Sequence, residues 1–328
     1  MEKPPGKIAT DVSSQSESSD MSRIVVLFAA CNGAEWIEEQ LLSILHQRNV
    51  QVEIFISVDP STDDTLALCQ KMASQYQAIK LLPMRAEPNG AAGNFLWLIR
   101  NVDLSPYDYI ALADQDDLWF SDKLSRSCST ILEQGVAAYS SNVIALWPDR
   151  KKKLIVKNHP QKQWDFLFEA AGPGCTYVLT QSLAQAFKDF LTVNWLQANE
   201  VGFHDWLIYA FTRSKGYKWY IDGNATMLYR QHEKNQLGIN QGVSAYRLRY
   251  KLIANGAFFN KIRSLCQLLS IDHPFVSRWI VFDSRALLKL AVAAPHCRRK
   301  FSDQAIMALL CFWLSIVFRM KKTFGQGH

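Results

Sequence analysis

The feature that most constrains this chain is an alternation of apolar, β-rich runs with amphipathic segments, which starts at Arg23 and continues to residue 113. The opening run, Ile24-Val25-Val26-Leu27-Phe28-Ala29-Ala30, contains no polar residue, as a strand buried on both faces requires. A helix fits Ala34 to His46, with Trp36, Ile37, Leu41, Ile44 and Leu45 at helical spacing and Glu35, Glu38 and Glu39 near its start. The same reading predicts strands over Val52 to Val58, Ala78 to Leu82 and Tyr107 to Ala113. Helices are predicted over Asp63 to about Gln75 and Ala91 to Val102. Parallel neighbours need a crossover, and a helix supplies it, so the expected fold is α/β: a mostly parallel, Rossmann-like sheet flanked by helices.

Composition sets the outer limits. A chain of 328 residues, 48% hydrophobic and 20% charged, is long enough for one large domain with an appendage. Its 15 glycines and 11 prolines exclude a collagenous or low-complexity protein. Seven scattered cysteines without a CxxC pair indicate neither a disulfide framework nor a zinc knuckle, and a reducing, cytoplasmic setting is expected. Residues 1–22 combine Pro4, Pro5, a serine run and four acids with few apolar groups, and are expected to be disordered. Residues 23–240 are then expected to form the main folded unit, and 241–328 a basic helical C-terminal extension.

In an open sheet of this kind, ligands lie outside the carboxyl ends of the strands. The segments at those ends are Asn32-Gly33, Asp59-Pro60-Ser61-Thr62-Asp63 and Asp114-Gln115-Asp116-Asp117. None carries a Walker loop or a glycine-rich dinucleotide turn. Three carboxylates delivered together after one strand demand a cation, and hard oxygen ligands suit Mg²⁺ or Mn²⁺ completed by waters and phosphate oxygens. The plainer alternative is an acidic turn ahead of a helix capped by Ser121.

Seven blocks in order resemble the family-two, GT-A-fold glycosyltransferases, in particular the bacterial rhamnosyltransferase-like branch, over about residues 23–240. They begin with the first strand and Asn32-Gly33, then Asp59-x-Ser61-Thr62-Asp63 and Gly90 with Asn94-Phe95. Asp114-Gln115-Asp116-Asp117-Leu118-Trp119 and Gly174-Cys175-Thr176 follow. Last come His204-Asp205-Trp206 and Tyr229-Arg230-Gln231-His232 with Asn235 and Gly238. The resemblance implies an inverting transfer from a nucleotide-sugar, dTDP- or UDP-linked, to an acceptor hydroxyl. Ala30, Asn32, Asp59, Asn94, Asp114, Gln115 and Arg230 would bind the donor, with Asp59 on the base and Asp114 facing the ribose or sugar. Asp116 and His232 would hold the metal. Gly174, Cys175, Thr176, His204 and Trp206 would form the acceptor side, and Asp205 would be the catalytic base.

Physical chemistry supports that last role, since a carboxylate beside an indole is partly desolvated and gains proton affinity. Asp205 also reads as a cap of a helix from Trp206 to Phe211, with Trp206 in the core. Three positions depart from the family: Val58 where a second acid is usual, Cys31 where an aromatic stands, and Gly93 where a Lys stands. They keep open a catalytically weak sugar-nucleotide or glycan-binding scaffold. A nucleotidyltransferase is the other enzyme considered, and it would need a basic, glycine-rich triphosphate loop.

Charge divides the chain sharply. Residues 241–328 hold 14 Lys and Arg against 3 Asp and Glu, a balance of +11, while the first 240 carry −5. Helices are predicted over Tyr246 to Leu269, Phe275 to Ala293 and Asp303 to Lys322. The last of these contains the apolar stretch Ala305 to Phe318. Fourteen residues at 1.5 Å each span about 21 Å, short of a bilayer core, so this stretch is expected to lie on an anionic leaflet or to pack as a core helix. Nucleic acid is not an expected partner, because the cations alternate with aliphatics. A polyprenyl-diphosphate-linked oligosaccharide acceptor, met at the cytoplasmic face of the inner membrane during surface polysaccharide synthesis, fits that placement.

Overall fold

A computed structural model describes residues 21–84, 90–232, 257–281 and 283–324. Almost all of the expected disordered start lies outside them, as do Asn235, Gly238 and the first part of the Tyr246 to Leu269 helix. The first half runs β1 (Arg23–Ala30), α1 (Ile37–Leu45), β2 (Gln51–Val58), α2 (Thr65–Gln75), β3 (Ile79–Leu81), α3 (Gly90–Asn101) and β4 (Tyr109–Asp114). The second half runs β5 (Leu118–Trp119), α4 (Lys123–Gln134), β6 (Ala138–Leu146), β7 (Lys152–Ile155), β8 (Val178–Thr180), α5 (Gln181–Val193), α6 (Trp195–Val201), α7 (His204–Ser214) and β9 (Trp219–Arg230). Four further helices follow: α8 (Ala257–Leu268), α9 (Pro274–Ser277), α10 (Ser284–Cys297) and α11 (Phe301–Phe324).

β1 lies parallel between β2 and β4, with β3 outside β2. The chain therefore leaves β1 in one direction and returns on its other side at β4, which opens a crevice beyond the carboxyl ends of β1, β2 and β4. Alternate side chains of β1 enter two separate cores. Ile24, Val26 and Phe28 meet α1, α2 and α4, whereas Val25, Leu27 and Ala29 meet α3, α5 and α7. Residues 24–28 are fully buried, each worth roughly 1.5–3 kcal/mol of transfer free energy. An unbroken apolar run is the only pattern that satisfies both faces.

The second half of the sheet is mixed, where a mostly parallel one was expected. β8 is antiparallel to β4 and β6, β9 is parallel to β6, and β5 and β7 are antiparallel additions. The regular alternation ends at β4, and short hairpin-like segments need no crossover helix. α1 begins three residues later than predicted, because Asn32 adopts φ +49° and the Gly33 carbonyl accepts from the Trp36 and Ile37 amides in a preceding turn. Ser121 caps nothing: α4 follows Asp122, and neither supplies a side-chain cap.

α8, α10 and α11 share the core of the adjoining sheet face, through Ile262, Leu265, Leu287, Leu290, Cys311 and Leu314. The helix expected over Asp303 to Lys322 runs Phe301–Phe324, 24 residues and about 36 Å, well beyond the 14-residue stretch from which its reach was reckoned. Asp303 suits the first turn, and Arg319, Met320 and Lys321 are good helix formers that continue the last. Phe301–Met320 has the length and composition to cross a membrane, so the estimate of a helix too short to span is overturned. Only 17% of its apolar window is buried.

Candidate active site

The three turns beyond β1, β2 and β4 are laced together by side chain to backbone bonds. Asn32 takes the left-handed conformation that Asn tolerates best among non-glycine residues. Its amide donates to Ser61 Oγ at 3.0 Å, and its Oδ1 accepts from the Thr62 amide at 2.7 Å. Gln115 spans the gap to the first turn. Its Oε1 accepts from the Cys31 amide and its Nε2 donates to the Cys31 carbonyl, both at 2.7 Å. A Cβ on Gly33 would meet that Gln115 Oε1 at 2.2 Å, which explains the glycine. Asp59 is buried, with its amide bonded to the Ala30 carbonyl at 2.8 Å. Asn94, buried on α3, donates to the Ser57 carbonyl, and its own Oδ1 is left without a partner at the cleft wall.

These turns line one end of a cleft of about 1820 Å³. Ala30, Asn32, Asp59, Asn94, Asp114, Gln115, Asp116 and His232 face it, as does Cys31. Asp116 Oδ2 lies 2.8 Å from His232 Nε2, and His232 stacks on Trp36 with ring centroids 4.0 Å apart. Burial first, and then the neighbouring Asp116 charge, raises the Asp114 carboxyl to about 7. Asp117 is pushed well above the ordinary range for the same reasons. Carboxylates that raise one another's proton affinity form a site that a cation relieves, so the donor set fits a hard divalent ion. Asp114, Asp117 and Cys175 also bring ligand atoms within 4.8 Å of one another. Burial keeps that thiol protonated, a poor donor for such an ion.

Asp205 lies in the first turn of α7 and lines the same cleft. Its Oδ1 accepts from the Trp206 amide at 2.8 Å, yet desolvation still raises the carboxyl to about 6. Its charge adds to the proton affinity of Asp114. His204 packs on Phe95, and burial lowers its imidazole to about 3, so it stands neutral. A Cβ on Gly174 would meet His204 Nε2 at 2.3 Å, which closes that position to any other residue.

Four expected contacts lie behind the wall. Trp206 is buried, its Nε1 donating to the Phe166 carbonyl, and offers no face to an acceptor. Cys175 is buried against the Asp114–Asp117 cluster. Thr176 spends its hydroxyl on the Pro173 carbonyl. Arg230 braces the acidic turn, donating to the Asp116 carbonyl at 2.9 Å and pairing with Glu39. Beside three of them a neighbouring residue reaches the cleft: Gly174 beside Cys175, Asp205 beside Trp206 and Tyr229 beside Arg230. Of the departures, Val58 is core, Gly93 is buried in α3, and Cys31 lines the cleft.

Sequence patterns missed three cleft residues. Trp36 is read from spacing as an apolar helix position, although its ring supports His232. Lys157 and Arg298 belong to no motif and reach the cleft only through packing.

The glycosyl transferase family 2 profile matches residues 25–167. The chain is 41% identical over 283 residues to the dTDP-rhamnosyl transferase RfbG of Shigella flexneri, covering 86% of this chain and 98% of that protein. It is 29% identical over 116 residues to a putative teichuronic acid biosynthesis glycosyltransferase, TuaG, of Bacillus subtilis, covering 35% of this chain and 44% of that one. Among solved structures, Staphylococcus aureus TarS 1–349 with UDP gives a TM-score of 0.51 at 12% identity, covering 91% of both chains. The mannosyltransferase PcManGT of Pyrobaculum calidifontis with GDP-Man and Mn²⁺ gives 0.51 at 18%, covering 94% of this chain and 88% of that one. The fold is GT-A-like, with a mixed sheet, flanking helices and a helical C-terminal part.

Proposed function

The chain belongs to glycosyltransferase family 2, and from that membership and the geometry of its cleft we propose that it moves rhamnose from dTDP-rhamnose to a lipid-linked glycan, with inversion. The rhamnosyl transferase of Shigella flexneri supports the sugar and the base, since the likeness runs through 98% of that protein. The observation that carries the reaction is that Asp205 and the Asp114–Asp116 turn line one cleft, with the Asp205 charge adding to the proton affinity of Asp114.

Asp59, Ala30 and Asn94 would receive the nucleotide at the carboxyl ends of β1 and β2, held by turns that Asn32 and Gln115 make rigid. Asp116 and His232 would hold Mg²⁺ or Mn²⁺, which when bound offsets the charge that grows on the departing diphosphate. Oδ1 of Asp205 is occupied by the Trp206 amide, so Oδ2 would take the proton from the acceptor hydroxyl as that oxygen attacks the anomeric carbon. The bond to the nucleoside diphosphate breaks in the same displacement, and no covalent enzyme intermediate is needed. Neutral His204 would accept or donate a hydrogen bond to the acceptor sugar without adding charge.

An anionic leaflet is the proposed neighbour of the C-terminal helices. Leu309, Phe312, Trp313, Ile316 and Met320 are exposed along α11, with Lys300 before it and Arg319 near its end. Such docking would hold the enzyme at the cytoplasmic face of the membrane, where a polyprenyl-diphosphate carrier is presented.

Calorimetry with dTDP tests the donor reading. We expect binding in Mn²⁺ to exceed binding in chelator at least tenfold, and Asp116→Ala to remove that difference. Equal affinity in both conditions for the unaltered protein would overturn the metal-assisted reading.

A further inference from the structure

The charges lining the cleft are sorted by position. The sheet edge and the start of α7 contribute Asp59, Asp114, Asp116 and Asp205. The far end contributes Lys153, Lys157, Arg298, Arg299 and Lys300 against Glu169 and Asp303. Part of that cationic wall is structural. Arg299 pairs with buried Asp165 at 3.3 Å and with Glu169, and Arg298 reaches Glu169 and Asp303.

The remainder is not consumed in this way. Lys157 and Lys300 make no ion pair among the described residues, and Arg298 Nε is buried without a hydrogen-bond partner. A buried donor left unmet is a standing cost, which an anion in the cleft would recover. Lys157 runs along Gly172, its Cγ 3.6 Å from where a Cβ there would sit, and its charge is felt by Asp205. It lines the same cleft as the candidate base and the tail arginines. Burial, and then the Arg299 charge, holds its ammonium below the usual lysine value, a cost that a bound anion would also relieve.

Beyond these cations the lining turns apolar, with Phe258, Ile306 and Leu310 on the same wall. Ile306 is 51% exposed, and the strip continues outward through Leu309 and Phe312. A base, cations and an apolar strip lining one cleft are the groups that would receive an amphiphile made of sugar, phosphate and hydrocarbon.

We propose that Lys157, Lys300 and Arg298 bind the phosphate of an anionic amphiphilic acceptor, with its hydrocarbon chain on Phe258, Ile306 and Leu310. The C-terminal hairpin is then half of the acceptor site as well as a membrane contact. This rests on the reading that Asp205 faces the acceptor.

The test uses the full chain in chelator, titrated with decyl diphosphate, inorganic diphosphate and decyl maltoside. Decyl diphosphate is expected to bind at least tenfold tighter than either of the others. Lys157→Gln with Lys300→Gln should weaken it at least tenfold, and the paired Arg variants should restore it. Ile306→Gln should shrink its advantage over inorganic diphosphate. Unchanged affinity in the double Gln variant, or equal binding of decyl maltoside, overturns the proposal. Phosphatidylglycerol vesicles separate the two sources of lipid phosphate. If the double Gln variant loses the vesicles but keeps decyl diphosphate, the wall is a leaflet contact and the acceptor site is refuted. Binding of dTDP with Mn²⁺ should be the same in all variants and serves as the check on folding. Its absence in the unaltered protein would refute the donor reading and leave the decyl diphosphate comparison standing.

Discussion

The two ends of the cleft are built differently. The end proposed for the donor comes from residues 30–33, 59–65 and 114–116, at or just after the carboxyl ends of β1, β2 and β4, with Asn94 from α3, joined by short polar bonds such as Gln115 to Cys31 at 2.7 Å. The far end is assembled from Lys157, Glu169, Gly174, His204, Phe258 and Arg298, which meet only because separate elements pack together. Regular β–α repetition makes the first end rigid and local. The second depends on a buried ion-pair cluster, Asp165 and Glu169 with Arg213, Arg298 and Arg299, that pins the tail to the catalytic sheet. Damage should therefore separate into donor effects and acceptor effects.

The largest separation is expected at Asp205. Asp205→Asn should lower turnover by about 10²–10⁴-fold and leave dTDP affinity within about twofold, since an amide keeps the shape but cannot take the proton. Near-normal turnover would place the base elsewhere, and joint loss of dTDP binding would erase the distinction between the two ends. In the unaltered enzyme the rate should fall tenfold per pH unit below about 6, where this carboxyl protonates. Its stability effect has the opposite sense. A carboxyl raised above its unfolded value stabilises the fold at low pH, and that contribution is lost as pH rises through about 6. Asp205→Asn should therefore be about 1–2 kcal/mol more stable than the unaltered protein at pH 8, measured by denaturant unfolding.

Arg299 tests the pinning of the tail. It is 3% exposed at the side chain and donates to the Ala170 carbonyl besides its two acids. Arg299→Met should cost about 3–5 kcal/mol, because Asp165 and Glu169 lose a buried partner. In the folded protein the acceptor KM should rise while dTDP affinity holds. An unchanged unfolding midpoint would mean that the cluster contributes no net stability.

The smallest effect sharpens the donor side. Gln115→Ala should weaken dTDP about fivefold by freeing the Cys31 backbone. Gly33→Ala should be worse than Gln115→Ala, and less harmful in the Gln115→Ala background, because the clash is with Gln115 itself. A coupling of about 1 kcal/mol is expected from the double-mutant cycle. Simple additivity would show that the two turns are independent.

Most of the donor end was legible in the sequence. Ala30, Asn32, Asp59, Asp114, Gln115 and Asp116 all face the cleft, because a turn after a parallel strand reaches the crevice whatever the rest of the chain does. Other residues of the same motifs do not line it. Cys175, Trp206 and Arg230 sit beside cleft residues and Thr176 beside two buried ones, and all four contact the core, the backbone or neighbouring side chains. Period and spacing name a segment, but the direction of each side chain is set by packing.

The sequence by itself determined the alternating half of the sheet, the acidic turn at its edge and the asymmetry of charge, all local patterns with a short-range physical cause. The tertiary structure alone decided that the basic tail lines the cleft, that Arg299 pairs with buried Asp165, and that Trp36 carries His232. Contacts of that kind join residues more than a hundred positions apart. They arise from the sum of many weak packing terms and a few buried ion pairs, which leave no period in the chain.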